Sequence, residues 1–86
     1  MKKMLIKIND ISDVSAFVNQ ATKIEKDVTI YKGRYVINGK SLLGMFSLDL
    51  TTGVFVEFPE DEKDFEIFLE SLQEKNADYK YYDIIF

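Results

Sequence analysis

The stretch NGKSLLGMFSL (Asn38–Leu48) decides how this chain of 86 residues is interpreted. Residues 39–41, GKS, look like the close of a nucleotide-binding loop, G-x-x-x-x-G-K-[ST], in which an early glycine lets backbone amides face the phosphates. The opening glycine should be residue 34, which is Arg34. Residues 34–38 are bulky and β-branched instead, which is typical of a strand. The stretch therefore predicts a strand followed by a short helix, and it argues against a nucleotide site.

The short helix has a capping residue and more apolar side chains than it can bury. Ser41 is well placed as the N-cap, because its hydroxyl can accept a hydrogen bond from an unpaired amide of the first turn. A helix of about two turns cannot bury every apolar residue that follows. Core packing is the competing interpretation for each of them, yet some apolar surface should remain, and such a surface usually marks a protein contact. The residues concerned are Leu42, Leu43, Met45, Phe46 and Leu48.

Upstream of this stretch, the apolar pattern predicts a strand, a long helix and a hairpin. Met4, Ile6 and Ile8 alternate with other residues as in a half-buried strand. Asn9 and Asp10 then offer helix caps. The polar face of the helix that follows includes Asp13, and a hairpin turns at Lys32-Gly33. The apolar stripe of the helix consists of Ile11, Val14, Phe17, Val18, Ala21 and Ile24.

Downstream, the pattern predicts one more strand and one more helix. Residues 54–58, VFVEF, alternate as a strand, and Pro59 is expected to open the helix. The acidic run at residues 60–64 is interpreted as the first turn of that helix rather than as a metal site. The resulting order, β-α-β-β-α-β-α, predicts an α+β fold. It is an open-faced β-sandwich, a four-stranded antiparallel sheet covered on one face by helices. The apolar stripe of the last helix is Phe65, Phe68, Leu69 and Leu72.

Composition excludes several classes of function. The chain has no cysteine and no histidine, which removes thiol chemistry, imidazole acid–base chemistry and the usual zinc sites. The net charge of −4 argues against nucleic-acid binding. No apolar run suits membrane insertion, and Lys7 and Asn9 interrupt the apolar part of the N-terminus, so a secretory signal is not indicated. We therefore expect a cytoplasmic protein with no cofactor, no metal and no nucleic-acid partner.

The chain is expected to divide into a domain at residues 1–75 and a C-terminal extension at residues 76–86. The extension, NADYKYYDIIF, contains three of the five tyrosines and ends on three apolar residues. Such a segment is too apolar for a free tail. Two interpretations stay open: it docks on its own domain, or it forms the contact of a homodimer.

Over about residues 1–75 the chain resembles HPr, the small phosphocarrier of the bacterial phosphoenolpyruvate:sugar phosphotransferase system. The resemblance is strongest in residues 22–28, TKIEKDV, and in Asn38–Leu48. The second stretch looks like the HPr segment that opens with a lysine and a regulatory serine and continues as a short helix. The resemblance implies the open-faced fold and a lineage in sugar-transport regulation.

The chain departs from the family at the phosphate-carrying site. In HPr a histidine lies at the start of the first helix, followed closely by an arginine and a proline. Here Asp10 stands where the resemblance places the histidine, with Ser12 for the arginine and Asp13 for the proline. We interpret Asp10 as a helix cap, and we expect Asp13 to repel an incoming phosphate. The protein is accordingly expected not to be an enzyme and not to relay phosphate.

Ser41 matches the family's regulatory serine. In Gram-positive HPr and its histidine-lacking regulatory paralogue, a dedicated ATP-dependent kinase phosphorylates this serine, and the product binds a catabolite-repression transcription factor. Lys40 would lie beside the phosphate. The resemblance also makes Leu42, Leu43 and Phe46 an apolar platform for protein partners. The plainer interpretation of Ser41, a cap alone, stays open.

Three hypotheses of function follow. The first is a non-catalytic HPr-like binding module that acts through the helix after Ser41 and is controlled by phosphorylation of that serine. The second is a phosphocarrier that uses Asp10 or another non-histidine acceptor. The third is a structural module that self-associates through its C-terminal extension.

Overall fold

The computed structural model of the protein describes residues 1–49 and 52–75. Its elements follow the predicted β-α-β-β-α-β-α order. The predicted C-terminal extension, residues 76–86, lies outside the described residues. The elements are β1 (Lys2–Ile6), α1 (Ile11–Thr22), β2 (Thr29–Lys32), β3 (Tyr35–Asn38), α2 (Leu42–Phe46), β4 (Val54–Phe58) and α3 (Lys63–Lys75).

The four strands form one antiparallel sheet in the spatial order β1-β4-β2-β3. Gly33 takes a φ of +57° in the turn between β2 and β3, a conformation that glycine adopts without steric cost. Ile6 pairs with Val54, and Ile30 pairs with both Val56 and Ile37. Because side chains alternate along a strand, this register turns one apolar row toward the helices.

The core lies between that row and the helices. Phe65 of α3 contacts both Phe17 of α1 and Phe58 of β4 edge to face, with ring centroids 5.6 and 5.4 Å apart. Burying each such side chain contributes about 1.5–3 kcal/mol. The predicted α+β sandwich is therefore confirmed. The buried core consists of Ile6, Ile8, Val14, Phe17, Ala21, Ile24, Val28, Ile30, Met45, Val54, Val56, Phe58, Phe65, Leu69 and Leu72.

Two predictions about α1 were wrong. Ile11 was placed on the buried stripe, yet it is 70% exposed, because as the first residue of α1 it lies beyond the core that Val14 and Phe17 enter. Asp13 was placed on the polar face, yet it is only 7% exposed. The partner that offsets its charge is Lys75, 62 positions away in the sequence.

The bounds of other elements also differ from the prediction. Pro59 does not open α3; the amide of Glu62 donates to the Pro59 carbonyl in a turn, and the helix begins at Lys63. Strand β1 ends at Ile6, although Ile8 beyond it is still buried. Across residues 1–49 and 52–75, none of the helices combines the length and apolar character needed to cross a bilayer.

Candidate functional site

The start of α1 is organised by Asp10. Its Oδ1 accepts hydrogen bonds from the Asp13 amide at 2.9 Å and from the Ser12 hydroxyl at 2.7 Å. The Ser12 hydroxyl, and after it the Asp13 amide, lower the pKa of Asp10, because both donors favour the ionised carboxylate. The predicted helix cap is therefore confirmed.

Lys75, the last residue of α3, brings a positive charge to the same place. Its Nζ lies 2.8 Å from Asp13 Oδ1 and 3.9 Å from Asp10 Oδ2. The hydrogen bond to Asp13 raises the pKa of Lys75. The expectation that Asp13 repels an incoming phosphate stays a prediction, and the ion pair with Lys75 offsets part of the negative charge at this place. The start of α1 thus holds two carboxylates and one ammonium group.

The start of α2 is organised by Ser41. Its Oγ accepts a hydrogen bond from the Gly44 amide at 3.0 Å, as predicted for an N-cap. The preceding loop is held by Asn38, whose Oδ1 accepts from the Lys40 amide at 2.9 Å and whose carbonyl accepts from the Ser41 amide at 3.0 Å. Ser41 is half-buried at the end of this loop.

Lys40 does not turn its charge toward Ser41. Its Nζ donates to the carbonyl of Ile24 at 2.5 Å and lies 3.4 Å from the carbonyl of Glu25. Both carbonyls belong to the loop after α1, where the helix has ended and backbone acceptors need new donors. In the unmodified chain the ammonium group is therefore engaged by the loop after α1, and its predicted place beside a phosphate on Ser41 stays a prediction. A role of Lys40 in partner binding stays a prediction.

Helix α2 packs against β3 and α1. Met45 is completely buried beneath it. A Cβ at Gly44 would come within 2.7 Å of Ile37 Cγ2, so only glycine permits this close approach of α2 to β3. The other large side chains of the helix point outward: Leu42 is 42% exposed, Leu43 is 83% exposed and Phe46 is 46% exposed. The prediction that so short a helix leaves apolar surface exposed is confirmed.

Ile11 extends this surface toward α1. Together with Phe46 and Asp10 it lines an open cleft of about 300 Å³ between the start of α1 and α2. We call the exposed group of Ile11, Leu42, Leu43 and Phe46 the α2 patch. Sequence reasoning missed Ile11 because its spacing also fits the buried stripe of α1. The only available signal was its position directly after the cap Asp10, where a helix has just left the core.

The site shows no arrangement suited to metal binding. Within residues 1–49 and 52–75, no three histidine, cysteine, aspartate or glutamate side chains come close enough together to hold an ion. The functional groups at the two helix starts are carboxylates, hydroxyls and one ammonium group, which form hydrogen bonds and ion pairs.

Comparison with known proteins finds a matching family model. A family model described as the PTS HPr component phosphorylation site matches residues 13–77. The matched region begins at Asp13, so Asp10 lies outside it. No curated protein sequence matches the chain.

Two solved structures share the fold. HPr-C-His from Thermoanaerobacter tengcongensis is 24% identical, with a TM-score of 0.72, and the alignment covers 93% of this chain and 99% of that one. A phosphocarrier protein HPr from Bacillus anthracis str. Ames is 21% identical, with a TM-score of 0.63, and the alignment covers 84% of this chain and 96% of that one. Similarity at this level of identity supports the fold alone.

Proposed function

This chain belongs to the HPr family, and we propose that it is a non-catalytic regulatory member whose protein partners contact the α2 patch. The whole chain contains no histidine, so it cannot form the phosphohistidine that the resemblance to HPr would otherwise imply. The position suggested for that histidine holds Asp10, whose Oδ1 serves as a helix cap. A member of this kind acts by binding rather than by relaying phosphate.

The exposure of the α2 patch is the observation that carries the proposal. Burial of Met45 fixes the orientation of the short helix, and Leu43 on its opposite side is among the most exposed apolar side chains described. Leaving several large apolar groups in water has a free-energy cost that partner binding removes. The α2 patch is therefore expected to be more stable in contact with a protein partner than exposed to solvent.

We further propose that phosphorylation of Ser41 controls this contact. A phosphate on Oγ would lie directly before Leu42 and Leu43, and its oxygens would accept from the Gly44 amide that now binds the hydroxyl. It would add a charge of about −1.5 to −2 at the edge of an apolar surface. Binding of partners that require a neutral apolar surface would be weakened, and binding of partners that present arginine or lysine would be strengthened.

Phosphorylation is tested by intact-mass spectrometry after incubation of the full chain with ATP and a Gram-positive HPr kinase. We expect one phosphate on the parent chain, none on Ser41→Ala, and one on the control Ser47→Ala, whose hydroxyl lies at the other end of α2. An unlabelled parent chain, under conditions that label authentic HPr, would show that Ser41 is a cap alone.

Docking on the α2 patch is tested with the same kinase as a defined partner. We expect Leu43→Ser to lower kcat/KM on the order of 10-fold, as loss of one well-packed interface side chain does. The control Ile67→Ser removes a side chain that is also well exposed but belongs to α3. An equal effect of both substitutions would mean that the kinase does not contact the α2 patch.

The alternative phosphocarrier function would use Asp10. One observation favours it: the Asp10 side chain is 53% exposed and borders the cleft beside Ile11. Against it, Oδ1 already accepts two hydrogen bonds, and donors that stabilise the carboxylate also reduce its reactivity as a nucleophile. Transfer of labelled phosphate from phosphoenolpyruvate through enzyme I to this chain would establish the alternative.

A further inference from the structure

The face of the sheet opposite the helices also has an apolar row. Register places Leu5 beside Phe55, Phe55 beside Tyr31, and Tyr31 beside Val36. These residues alternate with the core-facing ones, so they point away from α1, α2 and α3. The row crosses all four strands, and we call it the open-face strip.

Leu5 is buried in a way that the core does not explain. It is only 7% exposed, although its side chain lies on the face that no described helix covers. Apart from Pro59, the other buried apolar side chains among the described residues belong to the core cluster, and Leu5 does not. The open-face strip is thus a second apolar region, separate from the core.

The strip is bordered by charged side chains, and its end on β3 is exposed to solvent. Lys3 Nζ lies 4.3 Å from the centroid of the Tyr31 ring, and the Tyr31 hydroxyl donates to Glu57 Oε1 at 3.1 Å. At the β3 edge, Val36 is 62% exposed. A row of aliphatic and aromatic side chains with charged neighbours is typical of a contact surface.

We propose that residues 76–86 of the same chain dock on the open-face strip. The composition of this segment matches the apolar and aromatic character of the strip, because six of its eleven residues are large apolar or aromatic ones. In an extended segment Tyr82, Ile84 and Phe86 would share one side and could face the strip together. The six residues are Tyr79, Tyr81, Tyr82, Ile84, Ile85 and Phe86.

The point of attachment of residues 76–86, the end of α3, lies close to the open-face strip. Gln73 in the last turn of α3 donates through Nε2 to the Leu5 carbonyl at 2.7 Å, so the end of α3 lies against β1. Strand β1 is an edge strand, and the open face begins directly around it. Eleven residues can span up to about 36–40 Å, whereas four strands are only about 15 Å across. The segment is therefore long enough to cross the whole strip.

Two other occupants fit less well. Pairing of an added strand with β1 would compete with Gln73 for the Leu5 carbonyl, which already has its hydrogen bond. A second copy of the chain would have to bind against a segment that is covalently attached nearby, and such a segment has an effective concentration of about millimolar.

The test follows chymotrypsin cleavage of the full chain after the tyrosines of residues 76–86. We expect Val36→Asp to speed cleavage there on the order of 5-fold, because a charge on the strip releases the segment. Val36 is exposed, so the substitution leaves the core intact. Phe55→Ser on β4 should have the same effect. The control Leu43→Asp, on α2, should leave the rate unchanged.

Equal cleavage rates in the parent chain and in both strip variants would overturn the proposal. The proposal would also be overturned if the cleavage rate of the parent chain fell as protein concentration rose, in parallel with dimer formation measured by sedimentation velocity. The occupant of the strip would then be a second copy of the chain. Nuclear Overhauser contacts between the Ile84 methyl groups and those of Leu5 or Val36, in a monomeric sample, are the expected direct result.

Discussion

The starts of α1 and α2 are capped by the same kind of hydrogen bond, but the two capping side chains differ in charge. Asp10 Oδ1 accepts from the Asp13 amide at 2.9 Å, and Ser41 Oγ accepts from the Gly44 amide at 3.0 Å. Asp10 already has a charge, and Lys75 lies beside it. Ser41 is neutral, and Lys40 directs its ammonium group elsewhere.

The two helix starts therefore differ in how much a phosphate would alter them. At α1 the favourable interactions of an anion with a helix start are already made by Asp10 itself. At α2 the cap is a hydroxyl, and addition of a phosphate would change both the charge and the neighbouring apolar surface. In a chain without histidine, the place where phosphate has an effect is proposed to be α2 rather than α1.

The largest expected effect comes from removing the anchor of α2. Met45→Ala leaves a cavity in the core and should lower the free energy of unfolding by about 2–5 kcal/mol. Leu43→Ala on the exposed side of the same helix should change it by less than about 0.5 kcal/mol. Urea denaturation of both variants measures the difference. Similar losses would mean that α2 does not have one buried and one exposed side.

A smaller effect is expected at the Ser41 cap. Ser41→Ala removes the acceptor for the Gly44 amide and should cost about 1 kcal/mol of stability. Ser41→Asp should retain most of it, because aspartate is also a good N-cap residue. Denaturant unfolding at neutral pH distinguishes the two variants. If Ser41→Ala unfolds like the parent chain, the cap contributes nothing.

The smallest effect is expected from acid titration of Asp10. Its pKa is lowered, chiefly by the Ser12 hydroxyl, so the folded chain prefers the ionised form. This stabilisation is complete above the ordinary aspartate pKa of 3.8 and is lost as pH falls through the lower folded value.

Thermal unfolding from neutral pH down to about pH 3 tests this titration. Asp10→Asn keeps a capping oxygen but cannot titrate, so its Tm should fall less on acidification than that of the parent chain. Glu66 titrates in the same direction, because Lys2 lowers its pKa, and it is present in both chains. Parallel acid profiles would show that Asp10 has no stabilising partners when ionised.

Local features of the sequence were sufficient for the fold and for both caps. The spacing of apolar residues gave the element order, because period 2 and period 3.6 are visible within a single segment. Ser41 and Asp10 were predicted as caps from residue type and position alone. That some apolar surface stays exposed followed from the small capacity of so short a helix to bury side chains, whereas the choice of Leu42, Leu43 and Phe46 came from the family resemblance.

Contacts between distant segments could not be predicted in this way. Lys75 and Asp13 are separated by 62 positions, and nothing in either segment identifies the other as its partner. The path of Lys40 to the Ile24 carbonyl depends on where the loop after α1 ends relative to β3. Exposure of Ile11 depends on where the core stops, which periodicity does not show.

The decisive experiment is to locate the phosphate that the full chain accepts. Phosphoenolpyruvate with enzyme I and ATP with a Gram-positive HPr kinase are supplied in parallel reactions, and peptide mass spectrometry identifies the modified residue. We expect phosphate on Ser41 in the second reaction and none on Asp10 in the first. Phosphate on Asp10, or an unmodified Ser41 while authentic HPr is labelled, would contradict it.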